Sequence, residues 1–532
     1  MTTVRIADFS GEIPRVTPRL LPENASTLAI NAYLDGGSIL PFHNATTVKT
    51  LVGDAQTIYL RDAIWMSWDA VVNVAPGQIA SDRIYFTGDG VPKLKTAAGA
   101  TYDLALPAPG SAPSVSITGT ADPETAESVV YVYTFLTDLD EESAPSKPTA
   151  ILTLSPGQIV TLGSFSAPPA GRGVNRRRIY RSQTTELGST TLFFVQEIPI
   201  ASTSTSHDVT VEPLLEPIST LDYEPPPDDL TGLIALPNGI MAGFVGRELM
   251  FSEPYIPHAW PLKYRLKTDF EIVALSSFGS FIAVATKGTP YILQGSGPDN
   301  MTMEKVEAFL PCVSARGMVD LGYAAAYPST AGLVLISQNG ANIVTEGLFT
   351  RRQWQAMQPD KFRAVSWDGS YMFSFLSVDG HGGARDIGVI DTTGRTRSFS
   401  RLSEHAEALS VDGTSNLVYL LHSDDRTIKL VDDPAASEKT FSWKSKEFHF
   451  TEPQNFGVIL IDPDNRYSTS GKTISAQVYA NDQLVHTVTI AGTPQRLPSG
   501  FLAERWSIVL TGTMAIEAVS LAGSFTELAA AR

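Results

Sequence analysis

A single cysteine among 532 residues, Cys312, excludes an internal disulfide, so the folded state must be held by packing alone. No run of about 18 apolar residues occurs. The opening MTTVRIADFSGEIPRVTPRLLPE also lacks a basic segment followed by an apolar core. Neither a membrane span nor a secretion signal is expected. Positive charge is in deficit: 39 Lys and Arg against 56 Asp and Glu give a net charge of -17. Proteins that grip phosphate backbones do so with clustered cations that release counterions, so stable nucleic-acid binding is not expected. An acidic surface is ordinary for solubility, and it also suits a wall past which DNA slides without sticking. Helical periodicity is scarce as well.

What remains is the composition of a well-folded β protein. Hydrophobic residues make up 43% and charged residues 18%, outside the disordered range. At this length about two to four domains are expected. The 41 glycines and 35 prolines bound short Val/Ile/Tyr/Phe-rich runs from end to end, the pattern of an all-β chain.

Residues 1–50 carry Pro14, Pro18, Pro22 and Pro41 and read as an extended N-terminal arm. Residues 51–104 contain IYLRDAIWMSWDAVV and DRIYFTGDGVPKL, with Gly88-Asp89-Gly90 as a tight turn, and read as a first four-stranded propeller blade. The linker LALPAPGSAPSVS opens a second domain, 105–229, closed by the stiff LDYEPPPDDL. Its strands VVYVYTFLTD, TAILTL, RRRIYRS and LFFVQEIPI predict a β-sandwich of about seven short strands. From 230 to 438 the apolar anchors Leu233, Ile272, Val319, Ala364 and Ala408 recur at roughly 40 to 47 residues, about one blade per unit. Five or six blades are expected, with the sandwich inserted after the first; the alternative is a stack of separate β-sandwiches. Residues 439–532 predict a small terminal β-sandwich.

Motifs for chemistry are missing. There is no G-x-S-x-G elbow and no H-E-x-x-H, and His258, His381, His405, His422 and His449 lack ligand spacing. SGKT at Ser470 lacks the upstream glycine of a phosphate loop, which Arg466 replaces. DPDNRYSTSGKT begins like a calcium loop but has Tyr467 and Thr473 where glycine and glutamate are needed. No catalytic residue, metal site or cofactor is expected. Two acidic clusters, Asp138, Asp140, Glu141 and Glu142, and Asp424 with Asp425, could pair as glycosidase carboxylates, although acids in turns more often form turns and solubilise. The loop SEPYIPHAWP places Tyr255, His258 and Trp260 between prolines. It reads equally as an interface anchor or as a plug between two blades.

GLIALPNGIMAGFVGRELMFSEPYIPHAWP, PRLLPENASTLAINAYLDGGSILPF, YVYTFLTDLDEESAPS with RRRIYRS, WKSKEF, and IEAVSLAGSFTEL together resemble tail nozzle or tail tubular proteins of short-tailed bacteriophages. The resemblance touches nearly the whole chain, through packing signatures rather than reactive groups. It implies a non-enzymatic virion protein: a propeller with an inserted fibronectin-like domain, forming a hexameric ring below the head-to-tail adaptor. That ring would be assembled in the host cytoplasm and traversed by phage DNA without specific binding. On this reading the two acidic clusters are candidate channel-lining loops, and Tyr255, His258 and Trp260 a candidate interface loop. Competing readings are a receptor-binding or polysaccharide-degrading tail protein and a cellular propeller scaffold.

Overall fold

The computed structural model describes residues 3–78, 82–184, 190–210, 216–376, 385–392, 398–422 and 424–530. His381 lies outside them. The chain is all-β and of propeller type: α-helix among the described residues is confined to the six-residue segments Arg351–Ala356 and Phe525–Ala530. Four-stranded antiparallel meanders recur along it. The chain divides into two compact units, one of residues 72–275 and 293–303, the other of residues 1–71, 276–292 and 304–532.

In the first of these units, Asn73–Pro76, Arg83–Thr87, Lys93–Thr96 and Thr101–Asp103 form one meander in sequence order. Gly88 and Gly90, at φ 102° and 76°, make the tight turn expected between its middle strands. A second meander runs Thr231–Ala235, Met241–Val245, Glu248–Phe251 and Arg265–Lys267. Tyr85, Leu94 and Leu104 of the first meet Leu233, Met241 and Met250 of the second in one buried cluster.

The inserted domain lies between these meanders in sequence. Ser114–Thr118, Ile159–Gly163 and Ser204–Asp208 form one sheet. Tyr131–Thr137, Val174–Thr184 and Thr190–Pro199 form another. Glu127–Val129 pairs with Leu152–Leu154. Every residue of Tyr131–Thr137 is buried. Tyr131, Tyr133 and Phe135 enter the sandwich core, and Val132 packs with Tyr180 and Ile218 on the opposite face. Burial on both faces explains the near-continuous apolar run in the sequence.

In the other unit, Val319–Asp320, Ala325–Pro328, Leu333–Ser337 and Gly340–Ile343 form a meander. Arg363–Trp367, Ser370–Leu376, Arg385–Ile390 and the first half of Phe399–Val411 form the next. The second half of that long strand pairs with Val418–His422, then Thr427–Leu430, and the last strand is Thr46–Thr50 from the opposite end of the sequence. Ile272–Phe278, Phe281–Thr286, Tyr291–Gln294 and Thr302–Lys305 form one more four-stranded sheet, whose residues do not fall within either unit alone. All five anchor residues fall in the first strand of a meander. The expected first blade is narrower than 51–104, because Thr57–Arg61 and Ile64–Trp68 form their own hairpin. Ile58 and Trp65 of that hairpin pack on Ala408, Tyr419 and Leu421 instead.

The terminal sandwich is built from Phe441–Ser445, Ala503–Gly512, Ile474–Ala480 and Gln483–Val488 facing Ile516–Ala522, Val458–Pro463 and Gln495–Arg496. Here the expected extended arm proves to be sheet. Val4–Ala7 pairs with Ile516–Ala522 and Ser26–Ile30 with Phe441–Ser445, so each sheet receives an early strand. Trp443, Trp506, Phe441 and Phe456 form the core with Val4, Ile6 and Phe9. Glu12, 2% exposed, anchors this arrangement: Oε1 accepts from the Ala29 amide at 2.9 Å and Oε2 lies 3.0 Å from Arg401 Nη2.

Candidate functional site

The turn after Tyr131–Thr137 fixes the first acidic cluster. Thr137 Oγ1 accepts from the amides of Leu139 and Glu141 at 3.2 and 3.1 Å, and Asp140 takes φ 59°. Successive carboxylates therefore diverge. Asp138 Oδ2 accepts from Tyr102 Oη at 2.9 Å. Asp140, 79% exposed at its side chain, pairs with Arg176 at 2.5 Å. Glu142 Oε1 accepts from Thr134 Oγ1 and Tyr180 Oη, both at 2.6 Å, and its Oε2 is 3.4 Å from Arg178. Burial and the Glu142 carboxylate push the Tyr180 hydroxyl pKa up.

Glu141 turns inward. Its Oε2 lies 2.5 Å from Arg172 Nη2, and its Oε1 is 3.5 Å from Arg83 Nη1 and 4.0 Å from His258 Nδ1. Arg172 is wholly buried and His258 is 5% exposed. His258 Nε2 donates to the Glu142 carbonyl at 2.9 Å, and burial holds the imidazole pKa below its ordinary value. Burial also pushes the neighbouring Tyr85 hydroxyl up to about 12. Arg172 Nε and Nη1, Arg83 Nε, Glu141 Oε1 and His258 Nδ1 have no hydrogen-bond partner. This is a charged junction tying the inserted sandwich to the two meanders that flank it, and it corrects the expectation for Glu141, which is buried rather than presented to solvent, while Glu142 is half-buried.

The aromatic loop resolves the same way. Trp260, 1% exposed, packs against Leu233, Met241 and Tyr85, and its Nε1 donates to the Pro257 carbonyl at 2.8 Å. It fills the space between two meanders, so Trp260 and His258 are not interface anchors; only Tyr255, 56% exposed, is presented outward. The second acidic pair sits in the turn before Thr427–Leu430. Asp425 caps it through the Thr427 amide at 3.0 Å, and its carboxyl pKa is held low by the Thr427 hydroxyl. Asp425 also faces His422 at 3.3 Å, while Asp424 is exposed.

Arg83 and Arg172 escaped sequence reasoning. The available signal was the Gly-Arg-Gly string: Gly171 and Gly173 take φ 71° and 68°, and a Cβ on Gly173 would meet Asp138 at 2.5 Å. That reversal turns Arg172 inward. The calcium-like loop is likewise self-satisfied, since Asp464 binds Arg466 Nη2 at 2.6 Å and accepts from Ser38 Oγ at 2.8 Å. Among the described residues no three His, Cys, Asp or Glu side chains group as a metal site. No helix of the described chain is long and apolar enough to cross a membrane.

A second feature that the sequence did not announce is a cleft of about 560 Å³ in the unit that holds the terminal sandwich. Trp367 and Asp368, at a hairpin tip, and Asp432 line it together with Tyr33 and His43 of the early segment and Glu438, Tyr467 and Lys472 of the terminal region. Tyr33 donates to Asp368 Oδ2 at 2.8 Å, and His43 donates through its amide and Nδ1 to Asp432 Oδ1 at 2.6 and 3.0 Å. Lys472 pairs with Glu438.

No protein-family model matches this chain, and no curated protein matches it. Among solved structures it is similar to Hsv2 of Kluyvelomyces marxianus, at 9% identity and TM-score 0.23 over 64% of this chain and 95% of that one. BBS1N in complex with ARL6DN gives 11% and 0.23 over 63% and 96%. PorZ of the type-IX secretion system of Porphyromonas gingivalis gives 11% and 0.25 over 89% and 77%. Likeness at this level carries no statement about what the chain does.

Proposed function

We propose that this chain is a structural protein of a short-tailed phage virion, a nozzle-type subunit that forms a ring below the head-to-tail adaptor and conducts the genome on ejection. The observation that carries the reading is the order of parts: a blade-type meander, a sandwich inserted directly after it, further meanders, then a terminal sandwich. That is the order implied by the resemblance of the sequence to tail nozzle proteins. The net charge of -17 supports passage of DNA without adhesion. Of the expected acidic side chains, Asp138, Asp140, Asp424 and Asp425 remain the exposed candidates for a channel wall. Closure of such a ring repeats one head-to-tail interface. Electron microscopy of the purified full-length protein, alone and with its adaptor, tests the reading. Sixfold rings are expected; particles that stay monomeric with the adaptor present, or threefold spikes, overturn it.

A further inference from the structure

We propose that the cleft lined by Tyr33, Trp367 and Tyr467 binds a short neutral oligosaccharide. A pyranose ring has an apolar C–H face and a rim of hydroxyls, so its site needs a fixed aromatic surface beside oriented hydrogen-bond acceptors, in a concavity of roughly 300–1,000 Å³. Each requirement is met. Trp367 is pinned, without being fully buried, by ring contacts at 5.2 Å to Phe42 and 5.4 Å to Tyr33. Tyr467 is 46% exposed, with the Arg466 guanidinium 5.8 Å from its ring centroid.

Three carboxylates are held by one oxygen each: Asp368 Oδ2 by Tyr33, Asp432 Oδ1 by His43 and Glu438 Oε1 by Lys472. These bonds orient the groups and leave Asp368 Oδ1 and Asp432 Oδ2 as acceptors for ligand hydroxyls. Asp368 and Asp432 sit at φ 49° and 52° in turns that join or end strands, a conformation Asp tolerates. Charge selects the class of ligand. Three carboxylates against Lys472 repel sulfated, phosphorylated or sialylated ligands, while neutral sugars incur no such cost. The inference is independent of the ring reading, since a monomer would carry the same cleft.

The full-length protein is titrated with neutral trisaccharides of glucose, galactose, mannose and N-acetylglucosamine, and separately with sialyllactose and spermidine, by tryptophan fluorescence and calorimetry. At least one neutral trisaccharide is expected to bind saturably. Tyr467→Ala and Asp368→Asn, both at exposed side chains, are each expected to weaken it about tenfold or more with unchanged near-UV circular dichroism. No saturable neutral-sugar binding up to about 10 mM, binding indifferent to both substitutions, or a response confined to spermidine or sialyllactose overturns the proposal.

Discussion

Replacing Glu141 by Gln removes one charge from the buried junction and leaves its shape. Arg172 is 0% exposed and its contact with Glu141 spans 2.5 Å, so the variant strands a guanidinium that has left water. Deleting one partner of a buried pair costs about 3–5 kcal/mol. The glutamine oxygen still accepts a hydrogen bond worth about 0.5–1.5 kcal/mol, which places the expected loss at about 2–4 kcal/mol. For a unit of this size that corresponds to a fall of about 4–16 °C in the transition reporting on residues 72–275. Thermal and guanidinium unfolding of the full chain measure it, with hydrogen exchange of the segments around Glu141 and Arg172 as the local readout. The double variant Glu141→Leu with Arg172→Met removes both charges and is expected to recover most of the loss. A loss below about 1 kcal/mol in Glu141→Gln, or a double variant less stable than the single one, refutes the account of this junction.

His258 gives a pH dependence. Its folded pKa is depressed by burial, so between the folded and unfolded values the unfolded chain binds more protons, and stability falls as pH drops below about 6.5. His258→Gln is expected to flatten this acid slope by up to about 1.4 kcal/mol per pH unit, measured by denaturant unfolding between pH 5 and 7.5; an unchanged slope contradicts it. Cys312 is 4% exposed and burial pushes its thiol pKa up to about 12. A thiol reagent such as dithionitrobenzoate should therefore react only after unfolding, and fast labelling of the native protein would sink this reading. Trp260→Ala should destabilise the protein by about 3–5 kcal/mol and leave the size of any assembly unchanged, as light scattering alongside unfolding would show.

The meanders were legible because their information is local. Ile272–Phe278 with Phe281–Thr286, and Arg363–Trp367 with Ser370–Leu376, are apolar strands joined by short Gly-containing turns, so period and punctuation agree. The early strands were not legible. Thr46–Thr50 is a mostly exposed TTVKT run whose pairing with Thr427–Leu430 is specified by no local pattern. The loop 252–261 showed its rigidity through its prolines, but not the burial of Trp260, which depends on Tyr85 and Leu94 from a distant segment. The acidic turn was visible as charge, whereas its neutralisation by Arg176 and Arg178 depends on which face of Val174–Thr184 meets it, and that by Arg172 on the chain reversal at Gly171 and Gly173. Turn acids were expected to be solvated; Glu141 is buried and Glu142 half-buried.

The pairing of Thr46–Thr50 with Thr427–Leu430, together with the insertion of Val4–Ala7 and Ser26–Ile30 into the terminal sandwich, has a consequence for synthesis. A ribosome makes these early strands long before their partners exist. They must wait, unpaired, through most of translation, and non-local pairing of this kind is slow and aggregation-exposed. Their composition suits the wait: TTVKT is polar and the preceding segment is broken by prolines, which discourages premature pairing with passing strands. A polypeptide interrupted before residue 427 would leave Thr46–Thr50 without the strand it pairs with.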